Sequence, residues 1–423
     1  MKLIEKIGIP DLPYSWFDAD LSEQEKSIQD TIHKFAEKEI RPTVAALDKL
    51  SPEEVVAKDS AWFELRQKYL DLGLDYTAFD GMSPIEVSRI QSLVLEELGW
   101  GDMGFTICMM VDQFPKIISH LMGRSDLAEQ YKDKIGCWIV TQPDRSSDAV
   151  DFLGKEMGAG AKHHRGNLIT KVEGDKLIIN GQSSAWVSSG PIAEVAVLMT
   201  QCDYGGGLWR ENGTLDSMVT VVPLDQPGIS RGKPLDKLGQ RALPQGEIFF
   251  DNVEVPVENM LVGKDEANAG VFSILSEGAT VHSAAATGVA RAAFEHALAY
   301  VHERRMGGVP LIEHQLVRHR IFKMFERVET SRALSRRASN YFGHASEPDM
   351  AIAVTAKIHC TKAAFDVTSE AIQIFGGNGL TKAYPLEKLM RDARSTMIED
   401  GENHVLGLAA ANRIAEIYRA KFA

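Results

Sequence analysis

Residues Ile372-Gln373-Ile374-Phe375-Gly376-Gly377-Asn378-Gly379, then Arg391-Asp392-Ala393-Arg394, then Ile398-Glu399-Asp400-Gly401-Glu402 decide how this chain is read. An apolar helical run stops at a paired glycine, and a second segment ends in carboxylates set against another glycine. Glycine lets backbone approach a ligand closely, and a carboxylate beside such a spot is a candidate general base. An ordinary helix C-cap accounts for Gly376, but not for the ordered set of residues downstream of it.

Upstream, the texture of the chain changes twice. From about Ser22 to Lys134 apolar residues recur at helical spacing, as in Ile28, Ile32, Phe35, Ala36 and Val87, Ile90, Val94, Leu98. Pro42, Gly73, Gly99-Trp100-Gly101 and Gly123 punctuate this zone. From Gly136 to Val262 short β-branched runs alternate with turn residues: Trp138–Thr141, Leu168–Val172, Lys176–Ile179, Val195–Met199, Met218–Val222 and Ile248–Pro256. Their spacing predicts a small antiparallel sandwich or barrel. After about Asp265 helices return, first the small-residue stretch Ala284–Ala293 and then amphipathic runs over Glu313–Asn340, Ala351–Phe375 and Leu406–Ala420. The expected architecture is α+β and multidomain. It has an N-terminal α-helical domain (1–135), a middle β domain (136–264) and a C-terminal α-helical domain (265–423).

Composition narrows the function. Hydrophobic residues at 44% and charged residues at 25% are ordinary for a soluble chain of 423 residues, long enough for two or three domains. A net charge of −13 argues against a nucleic-acid partner. It leaves room for a phosphate-bearing ligand held by helix N-termini and a few arginines. Arg332, Arg336 and Arg337 form a basic cluster, but Glu326 and Glu329 alternate with them, so this reads as a solvated mixed-charge helix face. Cys108, Cys137, Cys202 and Cys360 are scattered, with no C-x-x-C pair, so neither a metal site nor a disulfide framework is expected. The N-terminus carries no secretory pattern and no apolar run is long enough to span a bilayer. A cytoplasmic protein, not bound to a membrane, is the expectation.

Taken with Val140-Thr141-Gln142-Pro143 and Ser183-Ser184-Ala185-Trp186-Val187-Ser188, the opening stretch resembles the acyl-CoA dehydrogenase family of flavoproteins over nearly the whole chain. The resemblance implies a helical domain, a middle β domain and a C-terminal four-helix bundle, with FAD as cofactor. It implies that Trp138, Val140 and Thr141 lie along the flavin, with Ser147 near the pyrophosphate or the substrate chain. It implies that Trp186 and Ser188 pack a ring and a hydroxyl on the same cofactor, an aromatic being a flat, rigid apolar surface. Seen alone, each of these two segments is equally an ordinary strand, Trp186 a core residue. By the same resemblance Arg304 and Gln315 reach the cofactor of a neighbouring subunit, guanidinium suiting a diphosphate. Gln373, Gly376 and Gly377 hold the diphosphate with exposed backbone, and Glu402 and His404 contact the cofactor just past the catalytic acid. Ser147, Ser276, Ala279 and Gly401 would face the substrate.

The reaction this implies is α,β-dehydrogenation of an acyl-CoA thioester. A desolvated carboxylate takes the α-proton, the β-hydrogen leaves as hydride to flavin N5, and the carbonyl is polarised by a backbone N–H and a ribityl hydroxyl. Electrons would pass to an electron-transferring flavoprotein, and the protein would be a homo-oligomer, a tetramer built from dimers. The family's Tyr-Glu-Gly triplet falls on Glu399-Asp400-Gly401, which makes Asp400 the base. Some members place the base on an earlier helix, at the position of Gly278. Glu277 serves in this reading if the helix register differs by one, and Glu399 if the loop is rotated. Family members with aspartate here include dehydrogenases of alicyclic acyl-CoA thioesters and nitroalkane oxidases. With Ala279 in place of an arginine, a ring-bearing or branched acyl group is expected. Two rivals stand beside this reading: an oxygen-using flavin oxidase of the same superfamily, nitroalkane oxidase-like, and a non-catalytic flavin-binding protein.

Overall fold

The computed structural model describes residues 21–146, 165–211, 215–346 and 349–422, with backbone alone at 265 and 268–275. Helices open it: α1 (Glu23–Phe35), α2 (Arg41–Leu47), α3 (Pro52–Val55), α4 (Ala61–Asp71), α5 (Pro84–Gly101), α6 (Met103–Leu121) and α7 (Ser125–Gln130). Ser22, Ser51 and Ser83 start α1, α3 and α5 as capping boxes with Glu25, Glu54 and Glu86. Each box satisfies two backbone N–H groups that a bare helix start would strand. Pro42 does not break the chain as its position in the sequence predicts. A π-helical turn over Ala36–Ile40 carries α1 into α2, where the proline falls in the first turn and needs no helical hydrogen bond.

The strands follow: β1 (Gly136–Ile139), β2 (Ile169–Glu173), β3 (Lys176–Gln182), β4 (Val195–Asp203), β5 (Ser217–Pro223), β6 (Ile229–Arg231), β7 (Ile248–Pro256) and β8 (Met260–Gly263). They form one sheet in the order β6-β7-β3-β2-β4-β5-β8, with β1 also on β4. Most neighbours are antiparallel. β1 and β2, however, both run parallel to β4, pairing Gly136–Ile139 with Val195–Leu198 and Ile169–Lys171 with Gln201–Asp203. β4 is buried along almost its whole length, which explains why its sequence is a continuous apolar run without alternation. Trp186 departs from the sequence reading. It lies in a turn after β3 rather than in a strand, and its ring is exposed rather than part of the core.

The last third returns to helix: α8 (Lys264–Glu303), a short hairpin of β9 (Arg305–Met306) and β10 (Val309–Pro310), α9 (Gln315–His344), α10 (Met350–Phe375), α11 (Leu386–Thr396) and α12 (Asn403–Phe422). α8, α9 and α10 pack on one another, α12 packs on α10, and α5 packs against both α8 and α9. The small-residue stretch does what its composition predicts. Ala284, Ala285 and Ala286 are buried, and a Cβ at Gly288 would stand 2.0 Å from the Glu96 carbonyl oxygen. Gly99 mirrors it, its added Cβ falling 2.1 Å from the Ala285 carbonyl oxygen.

Beside this crossing lies a buried ion cluster, and it corrects the reading of Arg332 on α9, while Arg337 is exposed as expected. Arg332 is 4% exposed, not solvated, and donates from Nη2 to Glu96 Oε1 at 2.9 Å. Arg291 on α8 donates to Glu96 (2.9 Å) and Glu97 (2.7 Å), while His33 Nδ1 (2.8 Å) and Gln29 (3.0 Å) on α1 reach Glu97. Arg332 pairs with Glu329 on its own helix as well, but the partner that lets it be buried, Glu96, comes from α5, far away in sequence.

All four cysteines are buried free thiols. Burial pushes Cys108, Cys202 and Cys360 up to about 12, and Cys137 further in the same direction. Among the described residues no helix is long and apolar enough to cross a membrane, and no group of three acidic, histidine or cysteine side chains is placed to hold a metal.

Candidate active site

The loop between α11 and α12 carries the acids, and its backbone is built to present them. Asp400 has φ +49° and Gly401 φ +93°, two consecutive left-handed residues. Aspartate tolerates that region better than most residues. At Gly401 the left-handed backbone favours glycine, and a Cβ would also press on Leu406 Cδ2 at 2.7 Å. Lys357 on α10 clamps the turn from beneath, donating Nζ to the Gly401 carbonyl (2.7 Å) and to Asn403 Oδ1 (3.0 Å). Burial pulls this ammonium down to about 8, against the opposing pull of Asp400, Glu399 and Glu402.

Asp400 turns toward α8. Its Oδ2 lies 3.8 Å from where a Cβ on Gly278 would stand, and 3.3 Å from His282 Nδ1. The carboxylate keeps 30% of its side-chain surface accessible. Glu399 takes another direction: Gln240 Nε2 donates to its Oε1 at 2.6 Å. Gln240 is itself left-handed (φ +50°) and donates its backbone N–H to Asp392 Oδ1 at 2.5 Å. Asp392 in turn pairs with Lys388 (2.6 Å), which also meets Asp102. Burial raises the Glu399 carboxyl; His282 and the Gln240 bond oppose this, and the neighbouring Asp400 charge adds to it. A carboxylate held this way at one oxygen by an amide is a buttress rather than a free base.

Glu277 points elsewhere. It keeps solvent-accessible surface, yet protein crowds it, desolvation raises its carboxyl, and Gln91 on α5 is its hydrogen-bond partner. That combination describes a wall of a recess. Next to it Ser276 and Ala279 are buried on α8.

A second group lies where β1 and the loop after β3 meet. Thr141 Oγ1 and Ser184 Oγ are 2.6 Å apart, and Ser184 N–H donates to the Thr141 carbonyl at 2.9 Å. Trp138 is half-buried edge-on to Phe114, and Val140 is half-buried beside it. Gln245 Nε2 donates to the Trp186 carbonyl (3.2 Å) and to Ser188 Oγ (3.4 Å), fixing the turn that holds the Trp186 ring out, 61% exposed. Gln142 closes a tight turn with Arg145 and accepts the Leu168 N–H at 2.8 Å, tying that turn to β2. Ser147 lies outside the described residues.

A third group forms at the ends of α8 and α10. Tyr300 stacks on Phe375 with centroids 3.8 Å apart and accepts from Asn378 Nδ2 at 3.0 Å, bringing the two helix ends together. Arg304 caps α8 and is exposed; Gln315 at the start of α9 and Gln373 are exposed as well. Gly376 (φ +59°) and Gly377 present bare backbone with open space around them. Glu402 is different. It folds back on the start of α12, accepting from the N–H groups of His404 (2.9 Å) and Val405 (3.2 Å), and its other oxygen meets His404 Nδ1 at 2.7 Å.

Sequence reasoning missed His282, Gln240 and Lys357. Each is a single polar residue in an unremarkable stretch, and only the folded loop gives it a partner.

The helix–sheet–helix order and the loop acid facing a long helix define a fold that known proteins share. Residues 137–253 match the family profile described as "Acyl-CoA dehydrogenase, middle domain", and residues 271–415 match "Acyl-CoA dehydrogenase, C-terminal domain". Together these cover more than half of the chain, which belongs to the acyl-CoA dehydrogenase family. It is 29% identical over 409 residues to a short-chain specific acyl-CoA dehydrogenase of Clostridium acetobutylicum, covering 94% of this chain and 99% of the other. It is 27% identical over 393 residues to cyclohex-1-ene-1-carbonyl-CoA dehydrogenase of Syntrophus aciditrophicus, covering 91% and 88%. Among solved structures it is similar to butyryl-CoA dehydrogenase from Megasphaera elsdenii, with a TM-score of 0.77 at 24% identity, covering 94% of this chain and all of that one.

Proposed function

We propose that this chain is an FAD-dependent dehydrogenase of an acyl-CoA thioester in which Asp400 removes the α-proton. One observation carries the reading. The two positions from which family members supply their base, the loop acid and the helix residue at Gly278, converge: Asp400 Oδ2 is 3.8 Å from the Gly278 Cβ site. Glycine on the helix leaves the space that the loop aspartate enters. Glu399 is restrained by Gln240 and Glu277 faces Gln91, which leaves Asp400 as the acid free to meet a substrate.

The residues present suit a flavin dinucleotide. An exposed Trp186 ring beside the Thr141–Ser184 pair offers a flat face and hydroxyls. The bare backbone of Gly376 and Gly377 and the exposed Arg304 offer what a diphosphate takes. When bound, FAD supplies the hydride acceptor and a ribityl hydroxyl for the thioester carbonyl. The protein orients the substrate, and Asp400 holds the departing α-proton at a carboxylate oxygen. Ser276, Ala279 and Gly401 shape the space around the acyl chain. Because Arg304, Gln315 and Gln373 lie exposed at helix ends, a second copy of the chain is the natural completion of the cofactor site. Electrons leave to an electron-transferring flavoprotein in the cytoplasm.

A short acid and a bare helix position favour a bulky acyl group, ring-bearing or branched, over a straight medium chain. The Syntrophus relative is named for a cyclic thioester, which supports that choice. An anaerobic thioester panel with a ferrocenium acceptor tests it; preference for straight chains over every ring substrate refutes it. Asp400→Asn abolishes bleaching of the flavin by substrate while FAD stays bound, and a variant that still bleaches moves the base elsewhere. Peroxide release in air at the rate of ferrocenium reduction would instead mark an oxidase.

A further inference from the structure

His282 has none of the roles assigned above, yet it occupies the centre of the acid cluster. It lies one helical turn after Gly278 on α8, is 2% exposed, and its ring stands between both carboxylates of the loop. Nδ1 is 3.3 Å from Asp400 Oδ2 and 3.1 Å from the Gly278 carbonyl oxygen. Nε2 is buried without a hydrogen-bond partner, 4.0 Å from Glu399 Oε1. A buried ring nitrogen without a partner is costly, and Glu399 Oε1 is the polar atom that faces it, about 1 Å beyond hydrogen-bond length. Glu399 is not free to leave, since Gln240 holds its carboxyl and Asp392 holds Gln240.

We propose that His282 is a positioning residue for Asp400: its Nδ1–H aims the carboxylate at the substrate, and Glu399 backs the ring through Nε2. The proposal rests on Asp400 being the base. An aspartate on a left-handed turn has one short side chain and no neighbouring residue that fixes its χ angles, so a donor on the facing helix does that work. The ring has two acceptors for one N–H. While Asp400 is ionised, Nδ1–H bonds its Oδ2. Once Asp400 carries the substrate's proton, the same N–H rests on the Gly278 carbonyl, and no buried donor is stranded in either state. The covalent change is confined to the α C–H bond that breaks and the Asp400 O–H bond that forms; the C–H electron pair stays with the substrate. Nδ1 is the ring nitrogen within reach of two oxygen acceptors, the Gly278 carbonyl and Asp400 Oδ2, and this places the ring proton there.

The test uses the flavin-loaded enzyme and separates the two ring nitrogens. In His282→Asn the amide sits near the place of Nδ1, whereas in His282→Gln it reaches toward the place of Nε2. Two rates are measured for each: anaerobic bleaching of the flavin at saturating thioester, and uptake of deuterium at the substrate α-carbon from heavy water by mass spectrometry. The expected result is that His282→Asn keeps both rates within about threefold. His282→Gln and His282→Leu lose about 10- to 100-fold in both, the rate equivalent of one charge-assisted hydrogen bond, with KM and FAD content unchanged. Equal losses in the Asn and Gln variants, no loss in either, or losses that track FAD content overturn the positioning role. If the Leu variant does not fold, the Asn and Gln pair decides alone. Asp400→Asn run in parallel separates the two levels. Bleaching at the wild-type rate in that variant overturns the base and this proposal together. A dead Asp400→Asn beside a fully active His282→Gln overturns this proposal only.

Discussion

Asp400 sits in left-handed backbone, where a β-carbon costs on the order of 1 kcal/mol, and the energy of that turn is recovered by Lys357 and the neighbouring glycine. The convergence of Asp400 with Gly278 makes a relocation of the acid testable. In the double variant Gly278→Glu, Asp400→Ala a glutamate rooted on α8 reaches the volume that Oδ2 occupies now, since the helix site and the carboxylate are only 3.8 Å apart. Such a protein is expected to recover flavin bleaching to within about 100-fold of the parent, whereas Asp400→Ala alone shows none; stopped-flow absorbance on both checks it. Asp400 was legible because it lies in a run of matching residues of fixed spacing. His282 and Gln240 were not, because a histidine in a small-residue helix and a glutamine in a turn say nothing until a loop 159 residues beyond Gln240 folds onto them. Arg332 was legible as charged and misread as solvated for the same reason: its buried counter-charge, Glu96, is on another helix.

At the level of elements, the crossing of α5 over α8 sets the depth at which residues 276–282 stand beneath the acid loop. Gly99 and Gly288 allow backbone to touch backbone there. Gly288→Ala gains helix propensity but places a methyl group 2.0 Å from a carbonyl oxygen, so the helices must separate. Overpacking of this kind costs about 1–3 kcal/mol, and the melting temperature is expected to fall by several degrees with the flavin still bound; an unchanged or higher melting temperature contradicts the account. The long helices were readable from their periodicity, and the six longer strand runs from their β-branched texture. β6 is too short to show a pattern, and β8 carries a single β-branched residue. The parallel entry of β1 and β2 along β4 is a matter of tertiary pairing that local sequence does not encode. The π-helical turn before Pro42 likewise shows only when hydrogen bonds are traced.

Across the whole molecule, the Glu96–Glu97–Arg291–Arg332 cluster ties the first helices to the last. Burial by itself raises the Glu96 carboxyl, but Arg332 and Arg291 outweigh it and hold the group at about 2, below the ordinary 4.5. With the folded value below the unfolded one, the stabilisation is full above pH 4.5 and disappears as pH falls toward 2, an effect on the order of 3 kcal/mol. Glu96→Gln removes the buried charge that Arg291 and Arg332 share, leaving Arg291 with Glu97 and Arg332 with Glu329, so it is expected to melt lower at pH 7 and to show a flatter decline between pH 4.5 and 2. Parallel slopes for the two proteins in a calorimetric pH series contradict this assignment.

The sulfur atoms carry a practical corollary. Every thiol is sealed inside the molecule, Cys108 in α6, Cys137 and Cys202 in the sheet, and Cys360 in α10. An alkylating reagent has no way in while the chain is closed, so the order in which these four sulfurs become labelled records which layer opens first. The protein thus carries its own set of reporters for local breathing, with no foreign probe attached.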